Sequence, residues 1–458
     1  MPWLYRGLRS VFKRGARFYF LEIETAGDAN LPEGGSTIFA SNHPGSIMDV
    51  VVLGTVVPRT IHYLARSGLF RALPARWLLL GAGAIPVSRS GGANEQAFAA
   101  AHAVLRDGEA IGIFPEGRNA PLRHVRDIKT GCARIALGAG GVTIVPVGIN
   151  YEERDRFLSR VLVRFGEPIS TERYEAQHKT DPRGAVRALT DDLQVAMREA
   201  AVHIDEEYAD LAGAIDALVG EELEAELLPT VDIRSVDKRV LQRLSGRGSR
   251  DKNLDGRFRI RQWIADAVTH FADEDPESLN DLRTALEAYR WRLDRLRIGA
   301  DFREGSKSAR RQSLGLMAYA VLLAPIALYG LIHNFVPYRL TRRFALGAPD
   351  EAMIMIRAFG GGLAFFGLTY ALFASLALGT ADSWWSPLLY VLSLPITGVW
   401  FLRYRRRLQG MRKRILFTAL FRRRKQRIAK LLADRNALLA RIDRLRRRYE
   451  TVRLGQRA

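Results

Sequence analysis

Two side chains near the start of the chain have the types needed for general base catalysis. His43 and Asp49 stand six positions apart in "SNHPGSIMD" (41–49), directly after a short apolar run. An imidazole changes charge between about pH 5 and 8 and can accept a hydroxyl proton, while a carboxylate can hold its tautomer. Side chains on one helical face lie about three or four positions apart, so Pro44 and Gly45 must turn the chain to bring the pair together. A loop before a capped helix, without chemistry, would have the same composition.

Three later stretches read as strands that contain or lead into Pro or Gly turns, and two of them end in groups that can bind a charged substrate. The first carries Arg89 at its end, and the second exposes Glu116, Gly117 and Arg118 in a tight turn. A strand followed by a Pro/Gly turn is common, so each stretch alone is a weak signal. The three are "GAIPVSRS" (83–90), "IGIFPEGRNA" (111–120) and "VTIVPVGINY" (142–151).

The elements that must position these groups alternate between about residue 18 and residue 170. The predicted strands are Thr37–Ser41, Ile61–Ala65, Ala84–Ser88, Ala110–Phe114, Thr143–Asn150 and Val161–Phe165, with helical patterns such as Glu95–Leu105 and Gly131–Leu137 between them. This alternation predicts an α/β domain of the αβα type with a mostly parallel sheet. The functional motifs are then expected at the carboxyl ends of strands.

Four blocks in this order resemble the glycerolipid acyltransferases, the family of the glycerol-3-phosphate and 1-acylglycerol-3-phosphate O-acyltransferases. The blocks are "NHPGSIMD", "GAIPVSR", "FPEGR" and "VPVGI", and "IKTGCARIAL" (128–137) is also similar. The resemblance covers roughly residues 18–170. Five residues separate His43 from Asp49, whereas four is the commoner spacing, and this longer form resembles a branch that includes fungal glycerol-3-phosphate/dihydroxyacetone-phosphate acyltransferases. "LLAPIALYGLIHNFVPYRL" (322–340) is similar to that branch too.

The resemblance implies a reaction class. A fatty acyl group would pass from an acyl thioester to a hydroxyl of glycerol 3-phosphate or dihydroxyacetone phosphate. Acyl-CoA or acyl-carrier protein would be the donor substrate, and no other cofactor is expected. The alternatives are acylation of 1-acylglycerol 3-phosphate at the sn-2 position, a phospholipid-remodelling transacylase, and a non-enzymatic membrane tether.

Each block supplies residues with an expected role. His43 would act as the base and Asp49 would fix its tautomer; backbone N–H groups of the 43–49 or the 115–118 turn would bind the oxyanion. Cys132 is a rival nucleophile, although its apolar helical surroundings favour a buried, inert thiol. The expected acceptor-binding residues are Arg89 and Arg118 on the phosphate, Glu116 orienting a hydroxyl or an arginine, Gly117 allowing close backbone approach, and Lys129 as a further phosphate contact.

Charge and cysteine usage exclude some other classes. The chain has a net charge of +20, yet residues 403–458 hold 21 Lys and Arg against 3 Asp and Glu, so almost all the excess lies in a tail. These arginines follow an apolar segment directly, where anionic lipid and membrane topology explain them without a nucleic acid partner. One cysteine cannot form an intramolecular disulfide, and the eight histidines show no zinc-ligand spacing.

Three apolar segments predict insertion in a membrane, each near the ~20 residues that a crossing needs. They are Leu316–Tyr338, Ala358–Leu378 and Trp385–Leu402. Flanking arginines favour a cytoplasmic domain, with the second and third segments as a hairpin and a cytoplasmic link between Arg339 and Arg357. The first segment is then expected to be re-entrant or interfacial, broken near Pro325 and Pro337.

The chain is accordingly divided into five regions, and no oligomeric state is predicted. Apolar seams at 279–296 and 431–452 are expected either to pair as a helical hairpin or to pack separately. The regions are an amphipathic, membrane-associating helix (1–17), the acyltransferase domain (18–215), a charged helical region (216–310), membrane segments (311–402) and a basic helical tail (403–458).

Overall fold

The structure is a computed structural model of the whole chain. It describes residues 2–70, 73–87, 94–118, 124–154, 159–227, 254–295, 309–347, 351–380, 383, 385–423 and 425–455. The chain forms two compact units, residues 1–280 with 448–458, and residues 281–447.

The first unit contains the strands and most of the shorter helices. Its strands are β1 (Glu22–Ala26), β2 (Thr37–Ser41), β3 (Ile61–Arg66), β4 (Ile85–Val87), β5 (Ala110–Ile113), β6 (Thr143–Tyr151), β7 (Arg160–Phe165) and β8 (Ile169–Ser170). Its helices are α1 (Pro2–Tyr19), α2 (Ile47–Val56), α3 (Leu73–Gly81), α4 (Asn94–Arg106), α5 (Gly131–Ala139), α6 (Glu172–Thr180), α7 (Pro182–Ala200), α8 (Ala209–Leu227) and α9 (Leu254–Glu274).

The strands form one sheet in the order β1-β7-β6-β2-β5-β3-β4, with β8 also paired to β6. β2 is parallel to both β5 and β6, and β3 is parallel to β5 and β4. Only β6–β7 and β6–β8 are antiparallel among the described strand pairs. The predicted α/β fold with a mostly parallel sheet is therefore confirmed.

Alternating side chains of the central strands face two different helical layers. Ile38 and Ala40 of β2 pack in one apolar cluster with residues of α4, α5 and α7. Phe39, between them, packs in a second cluster with residues of α1 and α2. Because both faces are covered, every residue of β2 is buried, as expected for a near-continuous apolar run.

The six predicted strands are all present, and their described ends differ from the predicted ones by at most one residue; Ser88 lies outside the described residues. Two strands were not predicted. Residues 22–26 ("EIETA") form β1, in which two glutamates and partial burial hide the strand pattern, and β8 is only two residues long.

Helix α1 packs on the domain through one face. The Ile61 N–H donates to the Tyr5 hydroxyl at 3.0 Å, Arg9 donates to the Gly54 carbonyl at 3.1 Å, and Ala16 is buried. The exposed face carries Arg14 and Arg17. The apolar side of the helix therefore contributes to the fold, and its association with a membrane stays a prediction.

The second unit contains the long apolar helices α11 (Ala309–Leu346), α12 (Glu351–Thr380) and α13 (Trp385–Arg423). Three stretches are long and apolar enough to cross a membrane: Tyr319–Leu346, Gly360–Thr380 and Trp385–Arg405. The predicted break in the first one is wrong, because Pro325 and Pro337 both lie inside the continuous helix α11. Membrane helices tolerate proline where neighbouring groups satisfy the freed backbone, and soluble-helix rules miss this.

Helices α11 and α13 run antiparallel. At one end the Tyr404 hydroxyl donates to the Ala320 carbonyl at 2.6 Å, and further along Asn334 Nδ2 donates to the Leu394 carbonyl at 3.1 Å. Asn334 also accepts from the Tyr370 hydroxyl of α12 at 2.6 Å. The beginning of α11 and the end of α13 therefore lie at the same end of this helical group.

The two predicted apolar seams lie on α10 (Pro276–Arg295) and α14 (Lys425–Gly455). Within the second unit, Arg292 of α10 forms an ion pair with Asp434 of α14. Leu282, Leu286 and Leu438 are buried. The ion pair places the two helices side by side at this point, and pairing of their apolar seams stays a prediction.

Candidate active site

Three adjacent parallel strands bring the candidate residues to one edge of the sheet. β2 lies between β6 and β5, so the carboxyl ends of all three meet there. His43 follows β2, Glu116 follows β5 and Tyr151 ends β6. Asn42 fixes the β2 end, since its side chain accepts from the Ile149 N–H at 2.7 Å and donates to the Ile149 carbonyl at 3.1 Å.

The His43 and Asp49 side chains meet as the sequence predicts. His43 Nδ1 lies 2.8 Å from Asp49 Oδ2, and the Asp49 side chain is fully buried while that of His43 is 20% exposed. A carboxylate oxygen accepts, so Nδ1–H donates and the lone pair of the ring lies on Nε2. The arrangement leaves an oriented base at a partly open position.

The turn between the two residues determines this geometry. Ser46 has φ 56° and ψ −129°, an unusual backbone conformation for a residue other than glycine, and α2 begins directly after it. The Gly45 N–H donates to Asp49 Oδ2 at 2.8 Å. A β-carbon on Gly45 would lie 2.7 Å from Asp49 Oδ1 and 2.8 Å from the Tyr151 ring. A larger residue at this position would have to displace the carboxylate or the tyrosine.

Tyr151 is a contact of the site that the sequence did not reveal. Its hydroxyl donates to Asp49 Oδ1 at 2.7 Å, and the residue is buried. Burial and the neighbouring carboxylate raise the pKa of Tyr151 well above its usual 10, so the hydroxyl stays protonated. The sequence showed only that Tyr151 ends the strand that contains the fourth block. That position does not indicate which side chain the tyrosine contacts.

Aromatic rings cover one face of the imidazole. The Phe114 ring stacks on His43 with centroids 4.0 Å apart and planes inclined by 19°. Tyr63 stacks behind Phe114 at 6.3 Å. The rings fix the plane of the imidazole, and the Asp49 bond fixes its rotation.

Glu116 is buried beneath the loop that carries His43. Its two carboxylate oxygens accept from the N–H groups of His43 (3.0 Å) and Arg126 (3.4 Å). Burial raises the pKa of Glu116, while these two hydrogen bonds lower it. These contacts bind backbone rather than the hydroxyl or arginine expected from the sequence, and the acceptor-binding role stays a prediction.

Two cationic side chains are exposed at the same turn. Gly117 has φ 70°, a conformation that glycine adopts readily, and the Lys129 ammonium lies close above it, 3.0 Å from where a β-carbon would stand. Arg118 follows in the turn and is exposed. Arg89 lies outside the described residues. The turn therefore presents Arg118 and Lys129 where an anion can approach.

Most of the predicted oxyanion donors are already engaged. The N–H of His43 donates to Glu116, that of Gly45 to Asp49, and that of Gly117 to the Phe114 carbonyl. The N–H groups of residues 48 and 49 bond to carbonyls of the same turn. Within the described part of the chain, the N–H of Ile47 at the start of α2 has no such partner.

Arg154 adds a cation that the sequence analysis did not single out. Its guanidinium donates to the Pro44 carbonyl at 3.2 Å and therefore lies beside the loop that carries His43. The signal was a basic residue three positions after the end of β6.

Cys132 has the environment of an inert thiol. It lies in the first turn of α5 and is 2% exposed. Burial raises its pKa to about 12, so the thiolate that a covalent mechanism needs is strongly disfavoured.

Among the described residues, one group of side chains is close enough to hold a metal ion. His124, His203 and Asp205 have ligand atoms within 4.8 Å of one another. However, the Val125 N–H donates to His203 Nδ1 at 3.0 Å, so the neutral ring carries its proton on Nε2, the nitrogen that faces Asp205. A metal ion there would require an imidazolate, and we assign none to this cluster.

An imidazole held by a buried carboxylate at the carboxyl edge of a parallel sheet, with cations beside it, has the arrangement that general base catalysis uses. Residues 22–150 match the family model "Acyltransferase". Over 103 residues the chain is 35% identical to glycerol-3-phosphate O-acyltransferase 2 of Saccharomyces cerevisiae, covering 21% of this chain and 14% of the yeast protein. Over 151 residues it is 30% identical to a 1-acyl-sn-glycerol-3-phosphate acyltransferase of Borreliella burgdorferi, covering 32% and 58% of the two chains.

A solved structure, the 1-acyl-sn-glycerophosphate (LPA) acyltransferase PlsC of Thermotoga maritima, is 22% identical and covers 43% of this chain and 78% of that one, with a TM-score of 0.34. These sequence matches show that residues 22–150 are similar to acyltransferase domains, and the curated relatives matched are named as glycerol-3-phosphate and 1-acyl-sn-glycerol-3-phosphate acyltransferases. The chain spans only a seventh of the yeast relative and just over half of the bacterial one.

Proposed function

We propose that this protein is a membrane-bound O-acyltransferase that transfers a fatty acyl group from an acyl thioester to a hydroxyl of glycerol 3-phosphate or dihydroxyacetone phosphate. One observation carries the proposal: the 2.8 Å bond between His43 Nδ1 and Asp49 Oδ2, with the ring partly open to its surroundings. The match of residues 22–150 to acyltransferase domains supports the reaction class.

His43 provides the proton transfer that an alcohol needs in order to attack. Nε2 accepts the hydroxyl proton as the oxygen bonds to the thioester carbonyl, and Asp49 stabilises the imidazolium that forms. Collapse of the tetrahedral intermediate breaks the carbon–sulfur bond, and the imidazolium returns its proton to the leaving thiolate. The Ile47 N–H is one candidate donor to the oxyanion.

Exposed cations beside the pair suit an acceptor that carries a phosphate. Arg118 and Lys129 stand in or against the turn that holds Gly117, and an arginine can bind two phosphate oxygens at once. Glu116 ties this turn to His43 through the His43 N–H. Phosphate binding and proton transfer would therefore share one rigid loop pair.

The second candidate function is sn-2 acylation of 1-acylglycerol 3-phosphate. The Borreliella burgdorferi relative bears that name, and the match covers 58% of its length, against 14% for the yeast relative named for glycerol 3-phosphate. All three acceptors share the phosphate and a free hydroxyl. A direct comparison of acceptors decides between the two functions.

The test is an assay of membranes containing the full chain, with each of the three acceptors and with acyl-CoA or acyl-carrier protein as donor. His43→Ala is expected to lower turnover by about 10²–10⁴-fold, because it removes the base. His178→Ala, at the end of α6, is the matched control. A His43→Ala variant within threefold of wild type on every acceptor would refute the proposal. Turnover with phospholipid as sole donor would indicate a transacylase, and no turnover with any pair would indicate a tether.

We further propose that the residues before α11 and the basic tail both face the cytoplasm. The start of α11 and the end of α13 lie at the same end of the helical group, and arginines flank both. The single native cysteine is buried, so single cysteines at Ser313 and Gln409 can be labelled in a Cys132→Ala background. Both should react only with a reagent on the cytoplasmic side, and labelling from opposite sides would exclude this topology.

A further inference from the structure

We infer that Tyr151 is a positioning residue of the acyl-transfer site, whose hydroxyl holds Asp49 in the orientation that accepts the Nδ1 proton of His43. The inference rests on the proposed function, since it assigns how the base of that reaction is held. Tyr151 comes from a strand about a hundred positions after the pair and lies beyond the "VPVGI" block.

The two oxygens of the Asp49 carboxylate have different partners. Oδ2 accepts from His43 Nδ1 and from the Gly45 N–H, both at 2.8 Å. Oδ1 accepts from the Tyr151 hydroxyl at 2.7 Å. Asp49 is fully buried, so rotation of the carboxylate would break a hydrogen bond that nothing else replaces at low cost. The tyrosine therefore fixes the rotation of the carboxylate.

Tyr151 is itself held rigidly. It is the last residue of β6 and pairs with Val161 of the antiparallel neighbour β7. Its ring stacks on Phe20, with centroids 5.8 Å apart, and it packs against Gly45. The register of the sheet thus sets the position of the hydroxyl, and through it that of the carboxylate.

The hydroxyl can only donate to this carboxylate. Burial and the Asp49 charge both raise the pKa of Tyr151, so it stays protonated at any pH at which the enzyme would work. The other titratable or charged groups near this pair are His43, Tyr19, Tyr63, Glu116 and Arg154. The Tyr151 hydroxyl donates to Asp49 Oδ1 at 2.7 Å, so Tyr151→Phe removes this donor from the carboxylate.

Removing the hydroxyl has a defined effect on catalysis. A carboxylate that loses one donor attracts the Nδ1 proton of His43 more strongly and favours the imidazolium, which cannot act as a base. The acid limb of the pH profile of kcat/KM should therefore move to higher pH by about one unit, and kcat should fall about tenfold. KM for the acceptor should change less than twofold, because no phosphate contact is altered.

The experiment compares Tyr151→Phe with Tyr63→Phe in membranes containing the full chain. Both residues are tyrosines at the site, and the Tyr63 hydroxyl donates to the Val50 carbonyl at 3.2 Å instead of to Asp49. A double-mutant cycle with Asp49→Asn separates positioning from packing. If Tyr151 acts through Asp49, Tyr151→Phe should cost less than twofold in the Asp49→Asn background.

The outcomes are distinguishable. A shifted acid limb in Tyr151→Phe, an unshifted one in Tyr63→Phe and a non-additive cycle would establish the positioning role. Equal shifts in both tyrosine variants, or an additive cycle, would overturn it, as would an unchanged pH profile in Tyr151→Phe. If His43→Ala is fully active, the proposed function has failed; if only the tyrosine results fail, the function stands without this role.

Discussion

Replacing Gly45 by alanine tests whether the packing of the His43–Asp49 turn is required. The added β-carbon would lie 2.7 Å from Asp49 Oδ1, 2.8 Å from a Tyr151 ring carbon and 2.9 Å from the Tyr151 hydroxyl oxygen. Gly45 is not among the glycines with positive φ, so an alanine backbone is allowed and only space opposes the change. The carboxylate or the tyrosine must therefore move.

The added β-carbon should lower both the stability of the protein and its kcat, and these contacts set the size of each effect. Overpacking a tight interior costs about 1–3 kcal/mol of unfolding free energy. Displacing a hydrogen bond to a charged group costs a further 1.5–3 kcal/mol, roughly a 10- to 100-fold loss when the bond orients the base. We expect Gly45→Ala to lower kcat by about that factor and to lower the melting temperature of the detergent-solubilised protein.

Gly54→Ala is the matched control in the same segment. Its β-carbon would meet the Tyr63 hydroxyl at 3.5 Å, an ordinary contact, and it lies inside α2. Alanine favours helix over glycine by about 1 kcal/mol, so this variant should be as stable as wild type or more so. A fully active Gly45→Ala variant, or equal losses in both variants, would refute the reasoning.

Three further predictions concern groups away from this turn. Cys132→Ala should keep acyl transfer within about threefold of wild type, since the thiol is buried with a pKa of about 12; a loss beyond 100-fold would indicate an acyl-enzyme. Burial lowers the pKa of His203 from 6.5 to about 4, so between these two pH values the folded protein keeps the imidazole neutral while the unfolded chain protonates it. The free energy of unfolding should therefore fall as the pH drops from 6.5 to 4, by about 1–2 kcal/mol after allowing for solvent screening. His203→Asn should reduce this dependence of the melting temperature on pH, and an unchanged dependence in the variant would contradict the assignment to His203. Asn334→Leu removes the hydrogen bonds to Tyr370 and to the α13 backbone. It should lower the free energy of unfolding by about 1–2 kcal/mol, measured as a lower melting temperature in detergent. An unchanged melting temperature would exclude a role of Asn334 in joining α11 to α12 and α13.

The sequence predicted those features that depend on local spacing. Buried parallel strands such as β2 and β6 are apolar on both faces, so their runs stand out, whereas the glutamates of β1 concealed a strand. The Pro-Gly turn after His43 predicted that Asp49 would fold back, and the two side chains do meet. These predictions need only a few neighbouring residues.

Other features depend on pairing between distant segments, which a single sequence does not contain. Tyr151 reaches Asp49 because β6 lies beside β2 in a particular register, and no local pattern marks that contact. The turn sequence of Glu116 indicated exposure, but the carboxylate is buried because it binds the N–H groups of two separate loops. Prolines predicted a break in α11 only because the rule used was that of helices in water.

The site separates the chemistry from the choice of acceptor. The His43–Asp49 pair lies between the sheet end and α2, and as the proposed base it would act on any hydroxyl brought to Nε2. Arg118 and Lys129 would bind a phosphate, but glycerol 3-phosphate, dihydroxyacetone phosphate and 1-acylglycerol 3-phosphate all carry one. A contact that is equal for all acceptors cannot discriminate among them, because specificity is a difference of binding energies. A measured preference would therefore have to arise where the acceptors differ, at the carbonyl or the acyl chain, and not at the groups that make the transfer possible.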